Sequence, residues 1–150
     1  MTDNAASRRS STAKTLYEAA RQSLHAPSVF NTQPWRWRVV GETLQLLPEP
    51  ERRLPVIDPD GRLMMLSCGA ALHHARIALA AAGWRTEVYR DADGTGPIAT
   101  IHPVGRADPD QWAQRLSAAI TQRRTDRRSF GERQVPPEIL DGLRSVVEAE

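Results

Sequence analysis

The chain has 150 residues, 40% of them hydrophobic and 25% charged, and a formal net charge of +2. That balance fits one ordinary globular domain and argues against a nucleic-acid binder, because acidic residues are spread among the arginines and no basic face emerges. The single cysteine, Cys68, excludes a disulfide framework. No apolar run of about eighteen residues and no signal-like opening is present, so neither a membrane partner nor export is expected, and a cytoplasmic location is the default.

Residues 1–13 are polar and offer little to bury, which predicts a flexible arm. Arg8, Arg9 and Ser10 could imitate a phosphate-binding cluster there, but a tail is the simpler reading. Over residues 15–25, Leu16, Ala19, Ala20 and Leu24 recur at helical spacing and predict a short helix with one buried stripe. Pro27 should end it, because proline clashes with the preceding turn and biases its neighbour to extended geometry.

The next stretch, A-P-S-V-F-N-T-Q-P-W-R-W, sets a polar loop between Pro27 and Pro34. Ser28, Asn31, Thr32 and Gln33 supply donors and acceptors, and the two amides can pair with a flat heterocycle that alternates N–H and C=O groups. The bland alternative is a helix-to-strand connection in which Asn31 satisfies its own backbone. From Trp35 to Val40 the pattern alternates, with Trp35, Trp37 and Val39 on one face, and predicts a strand. A turn at Gly41-Glu42 predicts a hairpin to residues 43–47, and the prolines of 48–61 predict loop.

Residues 63–82 form the longest apolar segment and predict the central core helix. Its expected stripe is Leu66, Ala70, Ala71, His74, Ile77, Ala78 and Ala81, with Gly83 as the left-handed cap. His73 and His74 are adjacent, so they point about 100° apart on a helix and cannot make a two-histidine metal face. Strands are expected over 84–89 and 98–102. Asp108-Pro109-Asp110-Gln111 reads as a helix start with Asp108 as cap, running to about Gln122. Arg123, Arg124, Arg127 and Arg128 then crowd into R-R-T-D-R-R-S-F. Such a run can cradle a phosphate, or simply complement the dipole of a solvated helix end. Val135-Pro136-Pro137-Glu138 opens a last helix with Ile139, Leu143, Val146 and Val147 as its apolar stripe. The fold class expected is α+β: a small, mostly antiparallel sheet with the central helix across it.

Two motifs carry a resemblance. P-S-V-F-N-T-Q-P-W resembles the P-S-x-x-N-x-Q-P-W signature of the FMN-dependent nitroreductase family, in which this loop crosses a subunit interface to touch the flavin. R-R-T-D-R-R-S-F followed by V-P-P-E-I-L resembles the opening of a nitroreductase protomer, usually R-R-S-x-R-x-F then V-P and a helix. Here threonine replaces serine and one extra residue precedes Phe130. The resemblance implies that Pro27, Ser28, Asn31 and Gln33 contact FMN, and that Arg123, Thr125 and Arg127, with Arg124, hold its phosphate. It implies NAD(P)H as reductant, a nitroaromatic or quinone-like small-molecule substrate and no catalytic side chain; the absence of clustered Cys, His or carboxylate residues argues separately against a metal. The motif order is similar to the Acg-type branch, in which two nitroreductase-like halves share one chain. On that reading residues 14–122 are a first half and 123–150 the truncated start of a second, completed by a homodimer or a missing C-terminal half. A non-catalytic flavin-storage protein and a fragment that binds no flavin are the alternatives.

Overall fold

The computed structural model describes residues 3–91, 96–129 and 131–148. Its elements are α1 (Asp3–Ser23), β1 (Trp35–Val40), β2 (Thr43–Pro48), α2 (Arg62–Ala81), β3 (Trp84–Arg90), β4 (Ala99–Arg106), α3 (Gln111–Gln122) and α4 (Pro137–Glu148). The strands form one antiparallel sheet in the order β1-β2-β4-β3. This is the α+β architecture expected from the sequence.

Each hairpin follows from local chemistry. Val40 faces Thr43 across a two-residue turn, and Gly41 supplies the positive φ of 58° that such a turn requires. The β3–β4 ladder slips between Arg85 and Thr86, where Pro103 stands opposite Thr86. Proline has no N–H to donate, so an irregularity in the ladder is where it fits. Strand β4 therefore runs on to Arg106, well past the expected end at residue 102.

Inward side chains of the sheet, Leu44, Leu46, Ala99 and Ile101, are all buried. Helix α2 lies across them with Cys68, Ala71, Ala75, Ala78 and Leu79 in the core. These small residues let the helix backbone approach closely. The buried stripe is rotated from the expected one: Ser67, Cys68, Leu72 and Ala75 face inward, while Leu66 is 70% exposed. Alanine-rich spacing fits more than one face, and the partners on each side chose between them. Cys68 is fully buried, and burial pushes its thiol up to about 11, as suits an inert core residue.

Helix α1 begins at Asp3 rather than near residue 15, because no glycine or proline interrupts residues 3–23. Its Leu16, Ala19 and Ala20 pack on the core. Met1 and Thr2 lie outside the described residues. The start of α3 is also shifted: Asp110, not Asp108, is the cap, its Oδ1 accepting from the Trp112 N–H at 2.9 Å. Pro109 instead sits against Gly83, whose φ is 74°. Helix α4 forms as expected from Pro137 but buries none of its residues.

One cap was not legible in the sequence. Asp58, 4% exposed, accepts from the N–H of Leu63 through Oδ1 at 3.0 Å and of Met64 through Oδ2 at 2.8 Å. It thereby satisfies two first-turn donors of α2, whose own N-cap position is Gly61 and has no side chain to offer. Asp58→Ala should lower stability by about 1–2 kcal/mol, the usual cost of losing a capping side chain. Urea denaturation would measure it, and an unchanged midpoint would show that α2 starts without this carboxylate.

Candidate functional site

The polar loop follows a tightening of the chain at the end of α1. Backbone N–H groups of Leu24, His25 and Ala26 donate to the carbonyls of Arg21, Gln22 and Ser23 at 3.0–3.2 Å. Val29–Asn31 then make a single 3-10 turn. Phe30 (φ 46°), Asn31 (φ 58°) and Gln33 (φ 46°) all adopt left-handed backbone. For non-glycine residues that conformation costs of order 1 kcal/mol or more each, so the surroundings must hold it.

They do so from several sides. The Ser28 hydroxyl accepts from the Gln33 N–H at 2.9 Å, closing the loop on itself. Ser67 of α2 accepts from the Val29 N–H at 3.2 Å and donates to the Leu63 carbonyl at 2.7 Å. Pro34 offers its carbonyl to the Glu49 N–H at 3.0 Å and to the Cys68 thiol at 3.4 Å. Arg52 donates to the Gln33 carbonyl at 3.0 Å. Beyond the loop Trp35 is buried and Trp37 packs against the core.

What remains outward is chemically specific. Asn31 is exposed, and its amide makes no hydrogen bond among the described residues. Gln33 is half-buried and spends its Nε2 on the Leu24 carbonyl at 3.1 Å, leaving Oε1 as an acceptor. Pro27 is exposed at the loop entrance, and Phe30 is 72% exposed beside Asn31.

The arginine run is brought to the same place. Gln22 of α1 donates to Ser117 of α3, at 2.6 Å to Oγ and 3.1 Å to the carbonyl, fastening the two helices together. Arg123, just past the end of α3, therefore reaches the His25 carbonyl through Nη2 at 3.2 Å. Its Nη1 lies 3.4 Å from Thr125 Oγ1. Gln33 and Arg123 thus bond neighbouring carbonyls at the end of α1, though they lie far apart in sequence. The other basic residues divide. Arg124 turns back onto the carbonyls of Thr121 and Arg123 at 2.9 and 2.8 Å, capping α3. Arg127 is exposed, and its side chain makes no hydrogen bond or ion pair among the described residues. Arg128 forks onto Asp126 at 2.6–3.1 Å, which lowers the Asp126 carboxyl below its ordinary value. Phe130, at the end of the motif, lies outside the described residues.

Sequence reading passed over Ser67, Arg52 and His25. Ser67 shows only as a hydroxyl on an apolar helix, and the other two act through contacts with no local signature. A cavity of about 620 Å³ lies elsewhere, between α1 and the β3–β4 end, lined by Ser11, Trp84 and Arg106 among others. It holds none of the motif residues, and Arg106 there stacks on the Trp84 ring at 4.0 Å. Chemistry places the candidate site at the loop instead. No group of side chains suited to a metal ion occurs among the described residues.

No family model matches the chain. Curated relatives do. It is 46% identical over 126 residues to a Mycobacterium tuberculosis protein provisionally named NAD(P)H nitroreductase Rv3131, covering 83% of this chain and 36% of that protein. It is 38% identical over 145 residues to the protein provisionally named NAD(P)H nitroreductase acg of the same species, covering 93% and 43%. A third relative, the uncharacterized Rv3127, is 38% identical over 125 residues. The chain spans well under half the length of the relatives it matches.

One protonation state near the site makes a testable mark. Burial, then the charges of His73, Arg123 and His25, push His74 down from 6.5 to about 4. Above pH 6.5 the group is neutral folded and unfolded and contributes no pH dependence. Between 6.5 and about 4 the unfolded chain takes up a proton that the folded one refuses, so stability falls as pH falls. Urea midpoints measured across that range should decline, and His74→Leu should flatten the decline. An equal slope in the variant would place the effect on another group.

Proposed function

The chain belongs to the nitroreductase family, and from that premise we propose that its polar loop and Arg123 form part of an FMN site at which NAD(P)H reduces a nitroaromatic or quinone-like acceptor. One observation carries the reading: two motifs distant in sequence, the amide loop and the arginine run, meet at the end of α1 through Gln33 Nε2 on Leu24 O and Arg123 Nη2 on His25 O.

The donor set fits such a group. Asn31 presents both a donor and an acceptor, and Gln33 keeps an acceptor free, which suits a ring edge of alternating N–H and C=O. Arg123, Thr125 and Arg127 offer guanidinium forks and a hydroxyl for a phosphate. Pro27 and Ser28 shape the loop rather than contribute free polar groups, since the Ser28 oxygen already serves Gln33. Arg124 is the weakest member, being occupied with the end of α3. FMN would supply the hydride chemistry. The protein would orient the ring, neutralise the phosphate and exclude water from one face with Phe30. No side chain is asked to be a general acid.

Partners follow from the unpaired helix. Ile139, Leu140, Leu143, Val146 and Val147 of α4 are 50–77% exposed. Burying an aliphatic side chain is worth about 1.5–3 kcal/mol, so this stripe calls for a cover. A second copy of the chain, or further sequence of the kind the longer relatives possess, would provide it. In isolation the chain should associate, and light scattering should show a dimer or larger species that Leu143→Arg disperses. A wild-type monomer would remove the case for this face.

The flavin reading is tested by titration. FMN added to the purified chain should bind, and Asn31→Ala, Gln33→Ala and Arg123→Ala should each weaken binding about 5- to 20-fold, as expected for one lost hydrogen bond of roughly 1–1.8 kcal/mol. Affinity untouched by all three would defeat the site. NAD(P)H oxidation by the loaded chain separates an enzyme from a flavin-storage protein.

A further inference from the structure

A groove of about 390 Å³ lies between helix α1 and strand β1, which is an edge strand of the sheet. Tyr17 and Arg21, four residues apart on one face of α1, line it with Leu24 just past the helix end. Trp35, Arg36 and Trp37 of β1 stand across from them, and Glu49 and Arg52, which follow β2, complete the lining. The volume falls within the range of about 300–1,000 Å³ typical of small-molecule sites. None of the residues given to FMN lines this groove, so it stands apart from the proposed flavin site.

Its walls and its charges suit two different parts of one ligand. Tyr17 and Leu24 are 63% and 48% exposed, large apolar groups with little covering them. The Nε1 atoms of Trp35 and Trp37 are buried and have no partner among the described residues, so the indoles turn carbon rather than N–H toward the groove. Flat carbon surfaces of this kind favour another aromatic ring, offset or edge-on. Polar contacts must then come from the charged residues, three arginines against one glutamate. Glu49 is spent on Arg36, whose Nε donates to Oε1 at 2.7 Å. Arg52 is steadied by the Gln33 carbonyl at 3.0 Å through Nη1, and its other N–H groups have no acceptor among the described residues. Arg21 is exposed and makes no hydrogen bond or ion pair among the described residues. Glu18, the acid nearest it in sequence, pairs with Lys14 at 4.0 Å. Two guanidinium groups without a carboxylate, set beside aromatic walls, match an anion that can take a bidentate fork.

We propose that the α1–β1 groove binds a planar aromatic carboxylate, its ring against Tyr17, Trp35 and Trp37 and its carboxylate on Arg21 and Arg52. An aliphatic acid would lose the ring contact. A neutral aromatic would leave the two arginines uncompensated, and a basic one would meet like charge.

NMR of the four tryptophan indole N–H signals in the whole chain tests this, with benzoate, cyclohexanecarboxylate and benzyl alcohol as separate probes. Benzoate should move the Trp35 and Trp37 signals saturably and leave those of Trp84 and Trp112, which do not line the groove, in place. Cyclohexanecarboxylate should bind about 2- to 10-fold more weakly, the worth of an aromatic contact. Benzyl alcohol should bind about tenfold more weakly or worse, and Arg21→Gln and Arg52→Gln should each weaken benzoate about tenfold, as expected for a lost charged hydrogen bond. Cyclohexanecarboxylate binding as well as benzoate would remove the ring from the reading, and benzyl alcohol binding as well would remove the arginines; either overturns the proposal. So does a benzoate response that is absent, that spreads to all four indoles without saturating, or that both arginine variants leave unchanged. If dilution moves the Trp35 and Trp37 signals and benzoate does not, a second copy of the chain covers the groove and the proposal fails. The wild-type titrations carry the decision even if a variant fails to fold.

Discussion

The structure depends on how the strained loop after α1 is held against α2. Phe30, Asn31 and Gln33 occupy left-handed backbone without being glycine, a conformation that a free peptide would relax. The hydroxyl of Ser67, buried on α2, takes the Val29 N–H and returns its own proton to the Leu63 carbonyl. With Ser28 closing the loop from within, this fixes the direction in which Asn31 points. The same clamp delivers the chain to Trp35 at the start of β1, so the loop's geometry and the sheet's register are one constraint.

A second set of contacts makes the end of α1 a meeting point. The last carbonyls of a helix have no partners within it and carry the negative end of its dipole. Here the carbonyls of Arg21, Gln22 and Ser23 are taken by the turn that follows, and those of Leu24 and His25, just past α1, accept from Gln33 and Arg123, the one arriving from the loop and the other from the end of α3. The Gln22–Ser117 bond holds α3 close enough for this to happen. The arginine run is not a uniform basic patch. Arg123 is anchored, Arg124 caps a helix, Arg128 is paired with Asp126, and Arg127 is left for something else.

Burial decides the remaining chemistry. Small residues along α2 bring its backbone onto Leu44, Leu46 and Ile101, and that closeness excludes water from Cys68 and partly from His74. Helix α4 is the opposite case, an apolar stripe left exposed among the described residues.

Much was determined by sequence alone. Alternation at Trp35–Val40, the Gly41 turn and the apolar run ending at Gly83 set the hairpin and the central helix, because periodicity and turn chemistry are local properties. The family motifs were legible for the same reason, as fixed spacings of particular residue types. Tertiary structure decided the rest. The caps Asp58 on α2 and Asp110 on α3 lie within six residues of their partners and were set by how the intervening turns fold, whereas which face of α2 is buried and that β4 continues through Pro103 depend on partners distant in the chain. So does the pairing of Gln33 and Arg123 at one helix end, which no window of sequence contains. Local preference can propose an element, but only packing against a distant surface selects its face, its ends and its neighbours.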